Sequence, residues 1–447
     1  YLIGLVILGP ILAAGLMHVI FEEDLEDKDF CENWIQGIEE LKAYVKDFDP
    51  ERTERLTWVP AEMIVEAARL YATNGPAGFM TNAQGTTHTS NAVNDHRSIL
   101  MLPAICGHID VPGGLDQPTN PLEGMMGPWA DGPPDFCLRE KLISMREHRA
   151  DVKDFPAWVE YLFEVQTNYL PEYIKQGKIK AFIGFGFNMM IWPQTHVYQE
   201  AIKSLEFVAA VDYFYRPQTH PYVDILLPAA MNFERLAPFA VIQRTLFGRN
   251  NLVDPPGECK EDWQIALELG TRLGYGEACF HGDVEAACND ILKMWGVTYD
   301  DLRENQESGF TVPAKRPELY EKYKTGDVRP DGKPGFNTPS GKIEAVSTAL
   351  KKHGYPGLPE YREPAQTSSE YPLLMLSGCR VPYITHSKWR DDSPWLLELR
   401  PGPVLSINPE DAHQVRVDHP FERRLEQTQW SGHLRYEMGL VLLESIS

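Results

Sequence analysis

The sequence predicts an α/β protein: two units built on parallel sheets, followed by the start of a β-rich unit. Helical and strand patterns alternate along most of the chain. Strand–helix–strand runs with short links go with parallel strands and right-handed crossovers. After residue 370 the pattern changes to short apolar runs bounded by turn residues, "YPLLMLSG" and "GPVLSINPEDA".

The opening stretch "YLIGLVILGPILAAGLMHVI" carries only His18 as a polar residue and is long enough for a membrane span. It lacks a basic flank, and Gly4, Gly9 and Pro10 interrupt it, so a buried strand or loop followed by a helix from about Leu12 is the other reading. The first residue is Tyr1 rather than Met, which reads as a piece of a longer polypeptide. "WVPAEMIVEAARLYATN" has apolar residues at helical spacing behind a proline start. "AGFMTNAQG" follows as a strand, "VNDHRSILMLPAICG" as a helix and "HIDVPGG" as a turn. The Pro/Gly-rich "NPLEGMMGPWADGPPDF" reads as a surface loop. The second unit repeats the order: helix "AWVEYLFEVQTNYLPEYIKQG", strand "IKAFIGFG", helix "THVYQEAIKSL", strand "EFVAAVDYF" and strand "VDILLPAA". The polar, proline-rich stretch that follows reads as a connector draped over the surface. The expected domains are therefore 1–120, a loop at 121–150, a second α/β domain at 151–295, a connector at 296–370, and a partial β-domain at 371–447.

Composition narrows the function. With 42 Lys plus Arg against 64 Asp plus Glu, the net charge of −22 repels phosphate backbones and argues against nucleic acid as a partner. Seven scattered cysteines without a CxxC show neither a disulfide framework nor an iron–sulfur or zinc set, and read as reduced core thiols. "KAFIGFGFNMM" is a strand running into a turn with Gly184 and Gly186 two apart, but Met189 stands where a dinucleotide fingerprint has its third glycine. The two glycines can bring backbone N–H groups to a pyrophosphate, and Asn188 offers both donor and acceptor; a plain tight turn is the alternative. Asp212, at a strand tip, suits the two N–H donors of a guanine edge, or simply a turn. Asp262 reads either as the N-cap of "WQIALELGTRLG" or as a ligand contact. Glu234, Arg235, Gln243 and Arg244 suit either a phosphate clamp or a solvated salt-bridge face.

Five ordered motifs, "GHIDVPGG", "HPYVDILLPAAMNFER", "GECKEDWQIALELGTRLG", "NTPSGKIE" and "RVPYITHSKWR", together resemble the molybdopterin oxidoreductases of the dimethyl sulfoxide reductase superfamily over roughly Leu12 to Val417. The nearest branch holds acetylene hydratase, thiosulfate and polysulfide reductases and related formate dehydrogenases. The resemblance implies two Rossmann-like α/β domains capped by a C-terminal β-barrel. It also implies a molybdenum or tungsten ion held by two molybdopterin guanine dinucleotides. The turn at Gly184–Asn188 then has the guanosine diphosphate arm as its ligand, Thr219 lies near the cofactor, and Asp262 lies near the guanine. Arg380, His386 and Ser387 reach the pterins from the barrel side. His88, in the polar loop "NAQGTTHTSN", borders the substrate funnel as a proton relay, or is simply exposed.

The function implied is two-electron oxo or hydride transfer on a small substrate by a catalytic-subunit segment. The alternatives are a non-redox hydratase of the same family and a metal-free structural subunit of a respiratory complex. Family members carry a [4Fe–4S] cluster and a metal-ligating residue in an N-terminal region without counterpart here, so an iron–sulfur electron-transfer subunit and a membrane-anchor subunit are the partners implied. The compartment is open between a prokaryotic cytoplasm and an exported or membrane-associated complex.

Overall fold

The computed structural model describes residues 9–78, 91–115, 146–149, 151–161, 167–189, 192, 194–216, 219–236, 239–242, 245–311, 320–329, 331–363 and 393–399. The chain divides into two compact units, Tyr1–Tyr361 and Arg362–Ser447. Of the second, the described residues hold the helix Pro394–Leu399. Eight strands are described: β1 (Ile35–Gln36), β2 (Ala181–Phe185), β3 (Phe207–Asp212), β4 (Ile225–Pro228), β5 (Ala240–Ile242), β6 (Thr245–Phe247), β7 (Phe310–Thr311) and β8 (Ile343–Glu344). The molecule is mixed α/β with parallel sheets, as the alternation predicts.

The apolar N-terminal stretch forms the 14-residue helix Gly9–Glu22, beginning three residues ahead of the expected start. Ile11, Ala13, Ala14, Met17 and Ile20 are buried in it. Small residues let it lie close to its neighbours, and a β-carbon on Gly15 would stand 2.6 Å from Thr53 Oγ1. Among the described residues no helix is long and apolar enough to cross a membrane. This helix packs against Ala61–Thr73, read from its periodicity, and Ala92–Ile105, also read as a helix.

β2, β3 and β4 form a parallel sheet in that order, with Phe185 opposite Val211 and Asp212 opposite Pro228. The helix Thr195–Lys203 links β2 to β3, and its Tyr198 and Ile202 pack with Val208 and Ala210 of β3. Alternation along β2 is what sends Phe182 and Gly184 to this face. Two expectations are corrected nearby. The single helix expected over 157–177 is two described pieces, Pro156–Tyr161 and Leu170–Lys175, because Pro171 fits only a first helical turn. Downstream, β5 to β7 form an antiparallel sheet that the sequence reading lacked.

The surface connector expected at 296–370 is also corrected. Tyr299 and Leu302 are fully buried in the core beside β6, where the Tyr299 hydroxyl accepts from the Arg249 N–H at 2.9 Å. Tyr323, Val328, Phe336 and Ala345 enter the core of the N-terminal helices. There Tyr323 stacks on Phe336 at 5.1 Å and meets the edges of Phe30 and Trp34. β8 pairs in parallel with β1, and the Arg97 guanidinium ties down the carbonyls of Ala345 and Gly357 at 3.1 and 2.5 Å. Average polarity over the segment hides these widely spaced apolar anchors.

Candidate functional site at the C-terminal edge of the parallel sheet

In open α/β sheets ligands collect outside the C-terminal ends of the strands. Four of the sequence-predicted residues, Gly186, Asn188, Asp212 and Thr219, converge there. The turn after β2 is tied to β3 by the Gly186 N–H, which donates to Val211 O at 2.8 Å. It is tied to the next loop by the Met189 N–H, which donates to the fully buried Thr219 Oγ1 at 3.2 Å. Across β3, the Ala229 N–H after β4 donates to Asp212 O at 3.1 Å, and the Ala230 N–H reaches Lys260 O at 2.8 Å. That last bond brings Asp262 to the far side of the same edge.

The two glycines do different things. Gly184 is a packing residue: a β-carbon there would lie 2.7 Å from Phe187 Cβ and 2.8 Å from Phe182 Cε1. Gly186 has φ +62°, and among the described residues a β-carbon on it would meet nothing within 4 Å, so it stands beside open space. Its own N–H is spent on β3, so what it leaves to a ligand is room rather than a donor.

Asp212 is buried, and its carboxylate is heavily used. Oδ2 accepts from Arg216 Nε at 2.7 Å, and Oδ1 accepts from the Tyr213 N–H at 2.7 Å and Arg216 Nη2 at 3.4 Å. The Arg216 N–H in turn donates to Nδ1 of the buried His220 at 2.7 Å. An acceptor at Nδ1 places the imidazole proton on Nε2. That atom is buried without a hydrogen-bond partner, 3.7 Å from Asp212 Oδ2. Burial pushes the His220 pKa down, Asp212 pulls it up, and Arg216 adds to the lowering. Arg216 and His220 were missed by the sequence reading, because their spacing from Asp212 lies past the end of β3 and carries no periodicity.

Asp262 is the first residue of the helix Asp262–Gly270, whose N-cap is Glu261, so the expected capping role is corrected by one position. The Asp262 carboxylate lies 3.7 Å from Arg235 Nη1. In the "GHIDVPGG" turn the fully buried Asp110 accepts from the Lys322 N–H at 2.6 Å and pairs with Lys322 Nζ. His108, also buried, has Nδ1 without a hydrogen-bond partner and a pKa lowered by burial, opposed by a hydrogen bond with the Ala77 backbone. Cys31, Cys106 and Cys288 are free and buried, and burial pushes each thiol up to about 12. The expectations at His88, Arg380, His386, Ser387, Gln243 and Arg244 lie outside the described residues.

The family model for molybdopterin oxidoreductase matches residues 10–272, which include the whole parallel sheet and its C-terminal edge. The chain belongs to the molybdopterin oxidoreductase family. Among relatives of this family, it is 27% identical over 430 residues to the F420-dependent formate dehydrogenase subunit alpha of Methanocaldococcus jannaschii, covering 91% of this chain and 58% of that one. It is 28% identical over 438 residues to the acetylene hydratase of Syntrophotalea acetylenica, covering 90% and 57%. The solved acetylene hydratase from Pelobacter acetylenicus superimposes with a TM-score of 0.75 at 25% identity, covering 91% of this chain and 58% of that structure. The chain thus spans just under three-fifths of the length of these molybdopterin oxidoreductase relatives.

Proposed function

We propose that the chain is a segment of the catalytic subunit of a molybdenum or tungsten enzyme whose pterin cofactor is a bis-guanine dinucleotide, performing two-electron oxo or hydride transfer on a small substrate. The supporting observation is the edge of the β2–β3–β4 sheet: open space beside Gly186, a buried carboxylate at Asp212 holding Arg216, and a Thr219 hydroxyl joining the two loops. This fits a nucleotide arm, because it offers room beside a strand end together with a fixed cation and hydrogen-bonding groups. Asn188, Asp212, Thr219 and Asp262 remain the residues assigned to it here, with Arg380, His386 and Ser387 for the pterins and His88 for proton relay at the substrate. When bound, the group supplies the two-electron chemistry at its metal. The share of the chain is to bind, orient and exclude water.

The named relatives divide the reaction. Formate dehydrogenase points to formate as the substrate, with electrons leaving through a [4Fe–4S] cluster and an iron–sulfur subunit, since that relative is an alpha subunit. Acetylene hydratase supports a second reading, addition of water without net redox change. Metal analysis of the protein from its native source, with GMP release on acid hydrolysis, tests the cofactor. Molybdenum or tungsten together with GMP is expected, and finding neither would move the reading to the metal-free structural subunit. Dye-linked formate oxidation against acetylene hydration by the same sample separates the two reactions.

A further inference from the structure

We propose that Arg216 is the residue that takes the diphosphate of the nucleotide arm, with Asp212 and His220 as the positioning residues that hold it at the end of β3. This rests on the cofactor reading above and assigns within it the group that meets the anion. A guanine reader needs carboxylate oxygens free for two ring donors, whereas both oxygens of Asp212 already accept from Arg216 or the Tyr213 N–H. Asp212 is therefore better placed to fix an arginine than to read a base.

A guanidinium has five N–H donors in a rigid plane. Two of its nitrogens, Nε and Nη2, face Asp212. The remaining donors lie on the edge turned away from the carboxylate, and the side chain keeps 16% of its surface exposed. That edge has the geometry for bidentate recognition of phosphate oxygens. The backbone is fixed as well, because the Arg216 N–H is held by His220 Nδ1. An arginine tethered at both ends loses little freedom on binding. Room lies at the end of the adjacent strand: Gly186 bonds to Val211, the residue before Asp212, and a β-carbon there would touch nothing within 4 Å among the described residues. With a net charge of −22, the chain as a whole repels anions, so retention of a diphosphate calls for a specific donor set of this kind.

The test is calorimetric titration of the 447-residue chain, produced in a host that cannot make the cofactor, with pyrophosphate, GDP and guanosine as probes. The unsubstituted chain is expected to bind pyrophosphate and GDP, with guanosine weaker than GDP. Arg216→Gln should weaken pyrophosphate and GDP by about tenfold or more, the scale of one lost charge-assisted contact. Arg216→Lys should fall between, since it keeps the charge and loses the fork; it also serves if the glutamine variant does not fold in a parallel thermal melt. Asp212→Asn should weaken pyrophosphate too, because it releases the arginine. Unchanged pyrophosphate binding in folded Arg216→Gln would overturn the assignment of Arg216 alone. An Asp212→Asn variant that loses guanosine but keeps pyrophosphate would return Asp212 to guanine recognition. Failure of every probe to bind the unsubstituted chain would overturn the nucleotide reading with it.

Discussion

Asp110 finds its cation 212 residues away in Lys322, whereas Asp212 finds one four residues away in Arg216. Both carboxylates are buried, and each pairs with a cation through side-chain contacts, yet the pairs serve different ends. Lys322 is itself buried, and it gives Asp110 both its ammonium and its backbone N–H, so this pair clasps two distant segments. Arg216 keeps one edge away from Asp212 and part of its surface open. The difference shows that burial of a charge pair is not by itself a sign of function; a cation edge turned away from the carboxylate and reachable from outside is the further requirement.

The sharpest way to break the comparison is to remove each cation and follow thermal unfolding. Lys322→Met removes the ammonium paired with the buried Asp110 carboxylate and should cost about 3–5 kcal/mol. Arg216→Met should cost less, about 1–3 kcal/mol, because the His220 Nε2–H stands 3.7 Å from Asp212 and needs only a small shift to replace it. Equal losses would erase the distinction between clasp and site.

A second measurement sharpens it at the sheet edge. Gly184→Ala forces a methyl against the Phe182 and Phe187 rings and should cost about 2 kcal/mol as an overpacked core does. Gly186→Ala enters open space and pays only for its left-handed backbone, about 1 kcal/mol. A larger loss at Gly186 would mean that the space beside it is filled in the folded protein.

The smallest effect is expected from pH. His108, with Asp27 as its charged neighbour, and His220, beside Asp212, both have pKa values lowered by burial. Below the unfolded value of about 6.5 the unfolded chain takes up protons that the folded chain refuses. Their contribution to stability is thus intact above that pH and is lost as pH falls from there through the folded values. Melts of His108→Gln and His220→Gln between neutral and mildly acid pH should show a shallower decline than the unsubstituted chain. Unaltered slopes would show that neither imidazole resists protonation.

What the sequence makes legible follows from how locally each feature is encoded. The helices Ala61–Thr73 and Ala92–Ile105 and the parallel pairing of β2 to β4 rest on apolar patterns and short links within local windows, and these read directly. At the site, Gly186 and Asp212 stand out because they punctuate strand ends, whereas Thr219 enters only through the family resemblance. Arg216 and His220 do not, because an arginine and a histidine after a strand look like ordinary loop residues until their partners are known. The Asp110–Lys322 pair and the β1–β8 pairing have no local signature at all. Two-residue strands carry no alternation, and Tyr323, Val328, Phe336 and Ala345 are isolated apolar residues in a polar stretch.

The pairing of β1 with β8 sets the order in which the chain can mature on the ribosome. The parallel sheet and the described part of its ligand edge are complete once residues up to Asp262 have emerged, while the N-terminal helices must wait for Ala345 and Gly357 before Arg97 and the aromatic cluster at Phe30 are closed over. Through that interval the apolar side of Gly9–Glu22 lacks part of its final cover, a state open to chaperones and to aggregation. Codon choice or chaperone supply during synthesis of residues 262–357 should therefore govern the yield of folded protein more strongly than the same changes made later in the chain.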